Sequence, residues 1–370
     1  MSNLNEQLEQ LLHRADISMS GSRPWDLKVY NDNFFTRIFS EGSLALGEGY
    51  MDGWWDAESV DEFICKILSS DISKSIKPYK ILALSLQAKL INLQNLSRSV
   101  QVAESHYNLG NRLFEIMLDK RLTYTCGYWK NATDLDTAQE AKLDLVCRKL
   151  NLEKGQHILD IGCGWGSFAK FAAENYGVEV TGITISEEQA NYAKQDCKDF
   201  PINIVVQDYR LLEGKFDHIV SLGMFEHVGS KNYRSFFQHA NRCLKDEGLL
   251  LLHTIGGLES NLTPDPWIHK YIFPNGQIPS LAEVATSSEK FFLVEDMHNF
   301  GAYYDKTLMA WYNNFNAGWD ELKGEYSERF YRMWKFYLQA CAGAFRARDL
   351  QLWQFVMSKS GVQGVYDRVS

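Results

Sequence analysis

A glycine-rich turn after a short apolar run constrains this chain more than any other feature of its sequence. Residues 158–166 read ILDIGCGWG, and a stretch with helical character follows. Glycine permits positive φ angles and lets the backbone come close to a ligand. A strand, such a turn and a helix in succession therefore predict the ligand-binding unit of an α/β fold. The alternative is a tight structural turn without a ligand.

The glycine spacing distinguishes between classes of ligand. Glycine stands at 162, 164 and 166 and serine at 167, so the pattern is GxGxG and not the GxGxxG of dinucleotide-binding folds. This spacing suits a nucleoside with an amino-acid tail better than a pyrophosphate. Asp160, Gly162 and Gly164 are predicted to bind this cofactor.

Alternating strands and helices predict a doubly wound, Rossmann-like α/β fold with a mostly parallel sheet. The predicted strands are 156–161, 178–183, 202–207, 216–222 and 248–254. Helices are predicted near 167–176, 187–198, 231–244, 305–320 and 327–345. Residues 350–359 are predicted to form a final strand at the antiparallel edge of the sheet.

The first hundred residues have a different pattern and predict a small α+β domain. Leucines at 4, 8, 11 and 12 recur at helical spacing, and residues 25–29 alternate as in a strand. Glycines at 42, 47, 49 and 53 predict a turn-rich stretch. The expected domains are 1–102 and 103–370, with a lid insertion at 256–303, which holds four of the seven prolines.

A basic amphipathic stretch covers residues 72–103. It contains five lysines or arginines and no acidic residue, whereas the whole chain has a net charge of −9. Such a stretch is typical of a membrane-surface helix. A helix packed on the catalytic domain, with its basic side chains in solvent, explains the pattern equally well.

Polar residues follow the predicted strands where doubly wound sheets bind ligands. Thr184 and Gln189 follow the second strand, and Gln207, Asp208 and Tyr209 follow the third. All five are predicted to bind the cofactor.

Glu226 follows the fourth predicted strand and His253 ends the fifth. Because these strands are neighbours in such a sheet, the carboxylate and the imidazole should project side by side. Together they form a candidate acid–base unit. The alternative is two structural polar groups that satisfy each other or the backbone.

Composition narrows the function classes. The negative net charge argues against a nucleic-acid partner, and seven scattered cysteines without a CxxC pair favour a reducing cytoplasm and no metal site. No apolar run approaches the roughly 18 residues of a membrane span. The many aromatic residues indicate large cores or an apolar channel that handles positive charge.

Several long segments resemble the cyclopropane fatty acid synthases over nearly the whole chain. They include HYNLGNRLFEIMLD, TYTCGYWK, MFEHVGSKNY, PWIHKYIFPNG and HNFGAYYDKTLMAWY. The resemblance implies a seven-stranded S-adenosylmethionine methyltransferase fold. It also implies methylene transfer from S-adenosylmethionine to the cis double bond of unsaturated phospholipids, through methyl transfer, a carbocation and proton removal by bound bicarbonate.

The resemblance further implies individual site residues. The bicarbonate cage falls on Cys126, Glu226, His253, Ile255 and Tyr304, with Cys126 and Ile255 acting through their backbone N–H groups. Cofactor contacts fall on Tyr124, Thr125, Gly162, Gly164, Thr184, Gln189 and Tyr209. Cys341 has been considered an active-site residue in this family, although a buried structural thiol is the expected role here.

Relatives of this form imply a homodimer in the cytoplasm, bound peripherally to the inner face of the membrane. Two rivals stay open at this stage. One is a plain methyltransferase acting on a lipid or small molecule, which needs no base cage. The other is a membrane-binding protein with a vestigial cofactor fold.

Overall fold

The computed structural model describes residues 2–19, 21–70, 72, 110–260 and 263–370, which belong to two compact units. The first unit combines residues 1–92, 262–274 and 302–350, and the second combines 93–261, 275–301 and 351–370. The N-terminal residues thus pack with two later stretches of the chain. The expected boundary at 102/103, and the basic stretch 72–103 beyond Ile72, lie outside the described residues.

Helices and strands alternate through most of the described chain. The helices are α1 (Ser2–Arg14), α2 (Asn33–Glu41), α3 (Ser43–Met51), α4 (Val60–Ser69), α5 (Asn111–Met117), α6 (Leu135–Lys149), α7 (Ser167–Tyr176), α8 (Glu187–Asp196), α9 (Tyr233–Cys243), α10 (Pro266–Tyr271), α11 (Leu281–Ser288), α12 (Ala302–Ala317), α13 (Trp319–Leu322) and α14 (Glu328–Arg346). The strands are β1 (Lys28–Val29), β2 (Trp55–Asp56), β3 (His157–Ile161), β4 (Glu179–Thr184), β5 (Ile202–Val206), β6 (His218–Leu222), β7 (Leu249–Gly257), β8 (Leu293–Asn299) and β9 (Leu350–Ser358).

The first unit differs from its prediction around residues 43–51. The expected turn-rich stretch is helix α3, and its glycines serve close packing. A Cβ atom on Gly47 would lie 2.3 Å from the indole of Trp267, and one on Gly49 would lie 3.1 Å from both Phe34 and Trp55. These glycines therefore make room for aromatic rings and do not break the helix. The strand expected over 25–29 shortens to β1, which pairs antiparallel with β2.

The second unit contains the predicted sheet. Its seven strands run in the order β5-β4-β3-β6-β7-β9-β8. The pairs β3–β4, β4–β5, β3–β6 and β6–β7 are parallel. The five predicted strands are confirmed, with ends that differ by a few residues. The final strand is also confirmed, but its edge position is wrong, because β9 lies between β7 and β8 and pairs antiparallel with β8.

Strand β8 comes from the segment that was expected to be an insertion. Residues 256–303 contain the end of β7, helices α10 and α11, and then the edge strand β8. The side chains of β8 are half-buried or exposed. A half-exposed edge strand lacks the continuous apolar run that marks the central strands, which is why its sequence did not identify it.

Both faces of the sheet are covered by helices. Alternate residues of β7 join different clusters, because successive side chains of a strand point to opposite faces. Leu250 and Leu252 pack in one cluster with Phe236 and Phe237 of α9. Leu249 and Leu251 pack in the other, with residues of α6 and α7. This double covering leaves the carboxyl ends of the parallel strands as the natural place for a ligand.

A transmembrane helix must be both long and apolar, unlike the helices in the described ranges. Each of them is too short or too polar to cross a membrane.

Candidate active site

The glycine turn after β3 leaves open space at one position. Gly162, Gly164 and Gly166 have φ angles of 88°, 55° and 86°, which favour glycine. A Cβ on Gly162 would lie 2.6 Å from the Cβ of Met224, whereas the nearest atom to a Cβ on Gly164 is Nε2 of Gln189 at 4.0 Å. The turn is therefore packed behind Gly162 and accessible to a ligand at Gly164.

The polar residues that follow β4 and β5 meet beside this turn. The Thr184 hydroxyl donates to Oε1 of Gln189 at 3.1 Å, and the backbone N–H of Gln207 donates to the Thr184 carbonyl at 2.9 Å. Ser186 caps α8 and so sets the direction in which Gln189 enters the site. The structure thus brings together Gly164, Thr184, Gln189 and Gln207.

Tyr209 and Asp208 lie in the short 3-10 turn after β5. The Tyr209 ring is buried, and within the part of the chain that the structure describes its hydroxyl has no hydrogen-bond partner. Burial raises the pKa of Tyr209 to about 12, so the hydroxyl keeps its proton. Asp208 is paired with Arg210 at 2.6 Å. A buried hydroxyl without a partner fits a polar group supplied by a ligand.

Asp160, on β3, is fully buried. Burial raises the pKa of its carboxyl group to about 7, and the nearby positive charge of Lys142 opposes this shift. Lys142, on α6, is fully buried as well, and burial lowers the pKa of its ammonium group to about 8. An acidic and a basic side chain thus lie close together inside the protein beside the glycine turn.

Helix α6 holds the segment that carries three candidate residues. Lys142 donates to the hydroxyl of Thr125 at 2.8 Å, and the Gln139 amide donates to the Thr125 carbonyl at 2.7 Å. In the same segment, the Tyr124 ring packs edge-on against Phe114 at 5.3 Å, and Cys126 is completely buried. The backbone from 123 to 126 is therefore positioned by two buried polar side chains one turn apart.

Glu226 and His253 lie at the ends of neighbouring strands, as the sequence predicted. Register pairs Leu222 of β6 with His253 of β7, and the Gly223 N–H donates to the His253 carbonyl at 2.9 Å. Glu226 follows in a 3-10 turn, where its Oε1 accepts from the Ile255 N–H at 2.7 Å. That N–H was expected to face an anion. In the structure it holds the Glu226 carboxylate instead.

Each of these two side chains keeps one unpaired atom. Neither Oε2 of Glu226 nor Nε2 of His253 has a hydrogen-bond partner among the described residues, although both side chains are buried. Burial raises the pKa of Glu226 to about 7 and holds the pKa of His253 well below its usual value. The imidazole is therefore neutral, and the pair offers two unsatisfied polar atoms to a small ligand.

Tyr304 and Cys341 belong to the first unit. The Tyr304 ring is buried and stacks on Phe345 with 4.5 Å between ring centroids. Burial raises the pKa of the Cys341 thiol to about 12, so the thiolate that a nucleophile requires is disfavoured. Cys341 is half-buried, and the structural role expected for it stays a prediction.

Sequence reasoning missed three polar residues around the site: Gln139, Lys142 and Gln354. Gln139 and Lys142 stand on the buried face of α6, and Gln354 stands in the buried strand β9. A polar residue at an apolar position of a periodic pattern was the available signal. Their partners lie far away in sequence, so the signal marks the residues without showing what they contact.

Comparison with known proteins shows which family this chain resembles. Residues 94–355 match the family model for mycolic acid cyclopropane synthetase. The cyclopropane-fatty-acyl-phospholipid synthase of Escherichia coli strain K12 is 52% identical over 357 residues, which cover 96% of this chain and 94% of that protein. Cyclopropane mycolic acid synthase 3 of Mycobacterium tuberculosis is 36% identical over 275 residues, which cover 69% of this chain and 96% of that protein.

Solved structures show the same fold. The cyclopropane synthase MmaA2 from Mycobacterium tuberculosis aligns with a TM-score of 0.67 at 31% identity, covering 73% of this chain and all of that chain. Mycolic acid cyclopropane synthase CmaA1, complexed with SAH and CTAB, aligns with a TM-score of 0.66 at 33% identity. The alignment covers 70% of this chain and 98% of that chain. The fold is that of the S-adenosylmethionine methyltransferases, and the chain belongs to the cyclopropane synthase family, as its sequence motifs indicated.

Proposed function

We propose that this chain transfers a methylene group from S-adenosylmethionine to the cis double bond of unsaturated phospholipid acyl chains, forming a cyclopropane ring. The observation that carries the proposal is a pair of buried atoms without hydrogen-bond partners among the described residues, Oε2 of Glu226 and Nε2 of His253, at the strand ends next to the glycine turn. The Escherichia coli relative named for this activity matches almost the whole chain.

The residues at the turn fit S-adenosylmethionine. The open space at Gly164 admits a ligand close to the backbone, Gln189 lies at its rim, and the unpaired Tyr209 hydroxyl offers a hydrogen bond. The CmaA1 complex with SAH supports this assignment. When bound, S-adenosylmethionine supplies an electrophilic methyl group. The chain's own residues around Gly164 would hold that cofactor.

The unpaired atoms of Glu226 and His253 fit a small anion that is both a hydrogen-bond donor and an acceptor. Bicarbonate has this character, and when bound it would supply the base for the proton whose loss closes the ring. Glu226, fixed by the Ile255 N–H, faces the anion with Oε2, and His253 faces it with Nε2. Cys126 belongs to the cage in this proposal, and the part of Tyr304 is what the family resemblance implies.

The surroundings of His253 suit a reaction that passes through positive charge. The Phe300 ring lies 5.8 Å from the imidazole, and the Tyr128 ring lies 5.4 Å from Phe300. Aromatic faces stabilise a cation without forming a bond to it. Because water would capture such a cation, the burial of Glu226 and His253 protects the intermediate.

A phospholipid substrate requires contact with a bilayer. The proposal therefore includes peripheral binding at the membrane surface and, as the family resemblance implies, a homodimer.

The test is a product assay with purified protein, S-adenosylmethionine and vesicles of unsaturated phosphatidylglycerol. We expect each product acyl chain to gain the mass of one CH2 group and to lose its alkene signal. A methylated product that keeps its alkene would instead identify a plain methyltransferase. Repeating the assay in buffer stripped of carbon dioxide, with and without added bicarbonate, tests the base. A reaction rate that does not depend on bicarbonate would exclude bicarbonate from the mechanism.

A further inference from the structure

Gln354 is a buried polar residue in the middle of β9. Its neighbours Trp353 and Phe355 belong to the hydrophobic core, and the strand is buried from Gln351 to Ser358. The Gln354 amide Nε2 lies 3.2 Å from Nδ1 of His253, which is on the adjacent strand β7. Both side chains are completely enclosed. A polar residue in such a strand requires a partner, and here the partner is the candidate catalytic imidazole.

With the Gln354 amide oriented as in the structure, this contact indicates which imidazole nitrogen carries the hydrogen. An amide NH2 group only donates hydrogen bonds, so Nδ1 of His253 must accept. A neutral imidazole has a single N–H, which then resides on Nε2. The ring stays neutral because burial, together with the positive charges of Lys142 and Lys149, holds the pKa of His253 well below its usual value.

We propose that Gln354 is a positioning residue that holds His253 in the Nε2–H tautomer and so makes Nε2 a hydrogen-bond donor to the bound anion. In the opposite tautomer a lone pair on Nε2 would face an anion oxygen and repel it. The identity of the anion as bicarbonate rests on the function proposed above. The tautomer itself follows from the contact between Gln354 and His253 with the amide oriented as in the structure.

The orientation of the Gln354 amide is the critical point. Its Oε1 has no hydrogen-bond partner among the described residues, so the imidazole is the group that orients the amide. Rotating the amide by half a turn would bring Oε1 against Nδ1 and reverse the tautomer. The proposal therefore makes a definite statement that spectroscopy can contradict.

The first experiment measures the tautomer directly. The whole protein, labelled with 15N at histidine, is examined by long-range proton–nitrogen correlation NMR, and the signals of His253 are identified by their loss in His253→Asn. We expect the pattern of an Nε2–H imidazole in the wild-type protein. An Nδ1–H pattern would overturn the proposal, whatever the enzyme's activity.

The second experiment reverses the contact with Gln354→Glu. A carboxylate accepts hydrogen bonds, so His253 should move its hydrogen to Nδ1 and leave Nε2 without a hydrogen to donate. The bicarbonate concentration that gives half-maximal activity should rise by about tenfold. This is the effect expected when a hydrogen bond to a charged group is lost. Binding of S-adenosylhomocysteine should stay within about twofold, because Gln354 contacts the imidazole and not the proposed cofactor residues.

Gln351 supplies a matched control on the same strand. It is also buried, and its Oε1 accepts a hydrogen bond from the Asn299 amide at 2.9 Å. Gln351→Glu introduces the same charge into β9 without touching His253, and we expect the wild-type tautomer and bicarbonate requirement. An equal loss in both variants would show a general effect of charge in the strand and would contradict the proposal.

Failure of the proposed function looks different from failure of this inference. If the wild-type protein forms product without bicarbonate, the anion is misidentified, while the tautomer measurement still decides the role of Gln354. If the protein requires bicarbonate but Gln354→Glu changes neither the tautomer nor that requirement, Gln354 does not position His253.

Discussion

The buried ammonium group of Lys142 donates a hydrogen bond to the hydroxyl oxygen of Thr125 at 2.8 Å. Asp119 and Asp160 contribute negative charge around this lysine and favour its protonated form. Because the Thr125 oxygen accepts from Lys142, its own hydrogen is left to donate elsewhere. A residue assigned to the cofactor site is thus oriented by a side chain from α6.

Replacing Lys142 with methionine should weaken cofactor binding. The Thr125 hydroxyl would lose its charged partner, and hydrogen bonds to charged groups contribute roughly 1.5–3 kcal/mol. We expect the dissociation constant of S-adenosylhomocysteine, measured by calorimetric titration, to rise by about tenfold or more. Lys149→Met is the control, because Lys149 is equally buried on α6 but contacts His298 and Asp296. Equal losses in the two variants would contradict this role.

Replacing Glu226 with glutamine should abolish most turnover and spare cofactor binding. The amide keeps the shape of the side chain but loses the carboxylate that orients the anion. We expect product formation to fall by about a hundredfold, in the range of an acid–base residue, with an unchanged dissociation constant for S-adenosylhomocysteine. Glu259→Gln, at an exposed position after β7, should behave as the wild type. Full activity in Glu226→Gln would exclude Glu226 from the mechanism.

Replacing Gly164 with valine should abolish cofactor binding. Its φ of 55° disfavours any side chain, and the added atoms would fill the open space toward Gln189. Gly155→Val is the comparison, because Gly155 has a φ of 84° but no atom within 4 Å of an added Cβ. Both variants should lose stability in urea unfolding. If the Gly155→Val variant also lost its affinity for the cofactor, backbone strain alone would explain the loss in Gly164→Val.

The buried carboxyl of Glu226 should make stability depend on pH. Burial raises its pKa in the folded protein to about 7 from the usual 4.5. The folded state therefore holds a proton that the unfolded state releases, and this stabilisation, present below about pH 4.5, is lost as pH rises through about 7.

Glu226→Gln cannot ionise, so its free energy of unfolding relative to the wild type should increase between about pH 5 and about pH 8. The increase should be at most about 3 kcal/mol, because one pKa unit corresponds to about 1.4 kcal/mol. Urea unfolding of both proteins at the two pH values measures it. A constant difference would show that Glu226 titrates as an ordinary carboxyl group.

Much of the site could be anticipated because its signals are local. The nine residues 158–166 contain a strand end and three glycines, and helix α7 begins directly after them at Ser167; each of these features follows from backbone sterics. Glu226 and His253 were placed side by side because parallel strands end at one edge of the sheet, and the register of β6 and β7 agrees.

Other features were not predicted from the sequence because the residues that cause them lie far away in the chain. Gly47 and Gly49 read as turn residues, but they sit in a helix that packs closely against aromatic rings, and the Trp267 ring is more than two hundred residues distant. The interior position of β9 depends on which strands pair, and apolar alternation within one strand does not encode its neighbours.

The amino-acid sequence by itself determined the α/β class, the glycine turn and the family, because these depend on short-range backbone geometry and on long runs of matching residues. Only the tertiary structure decided that Ile255 holds Glu226, that Lys142 supports Thr125 and that Gln354 faces His253. Each of these contacts joins residues separated in the chain. A hydrogen bond depends on a distance of about 3 Å and on direction, and the packing of the strands and helices sets both.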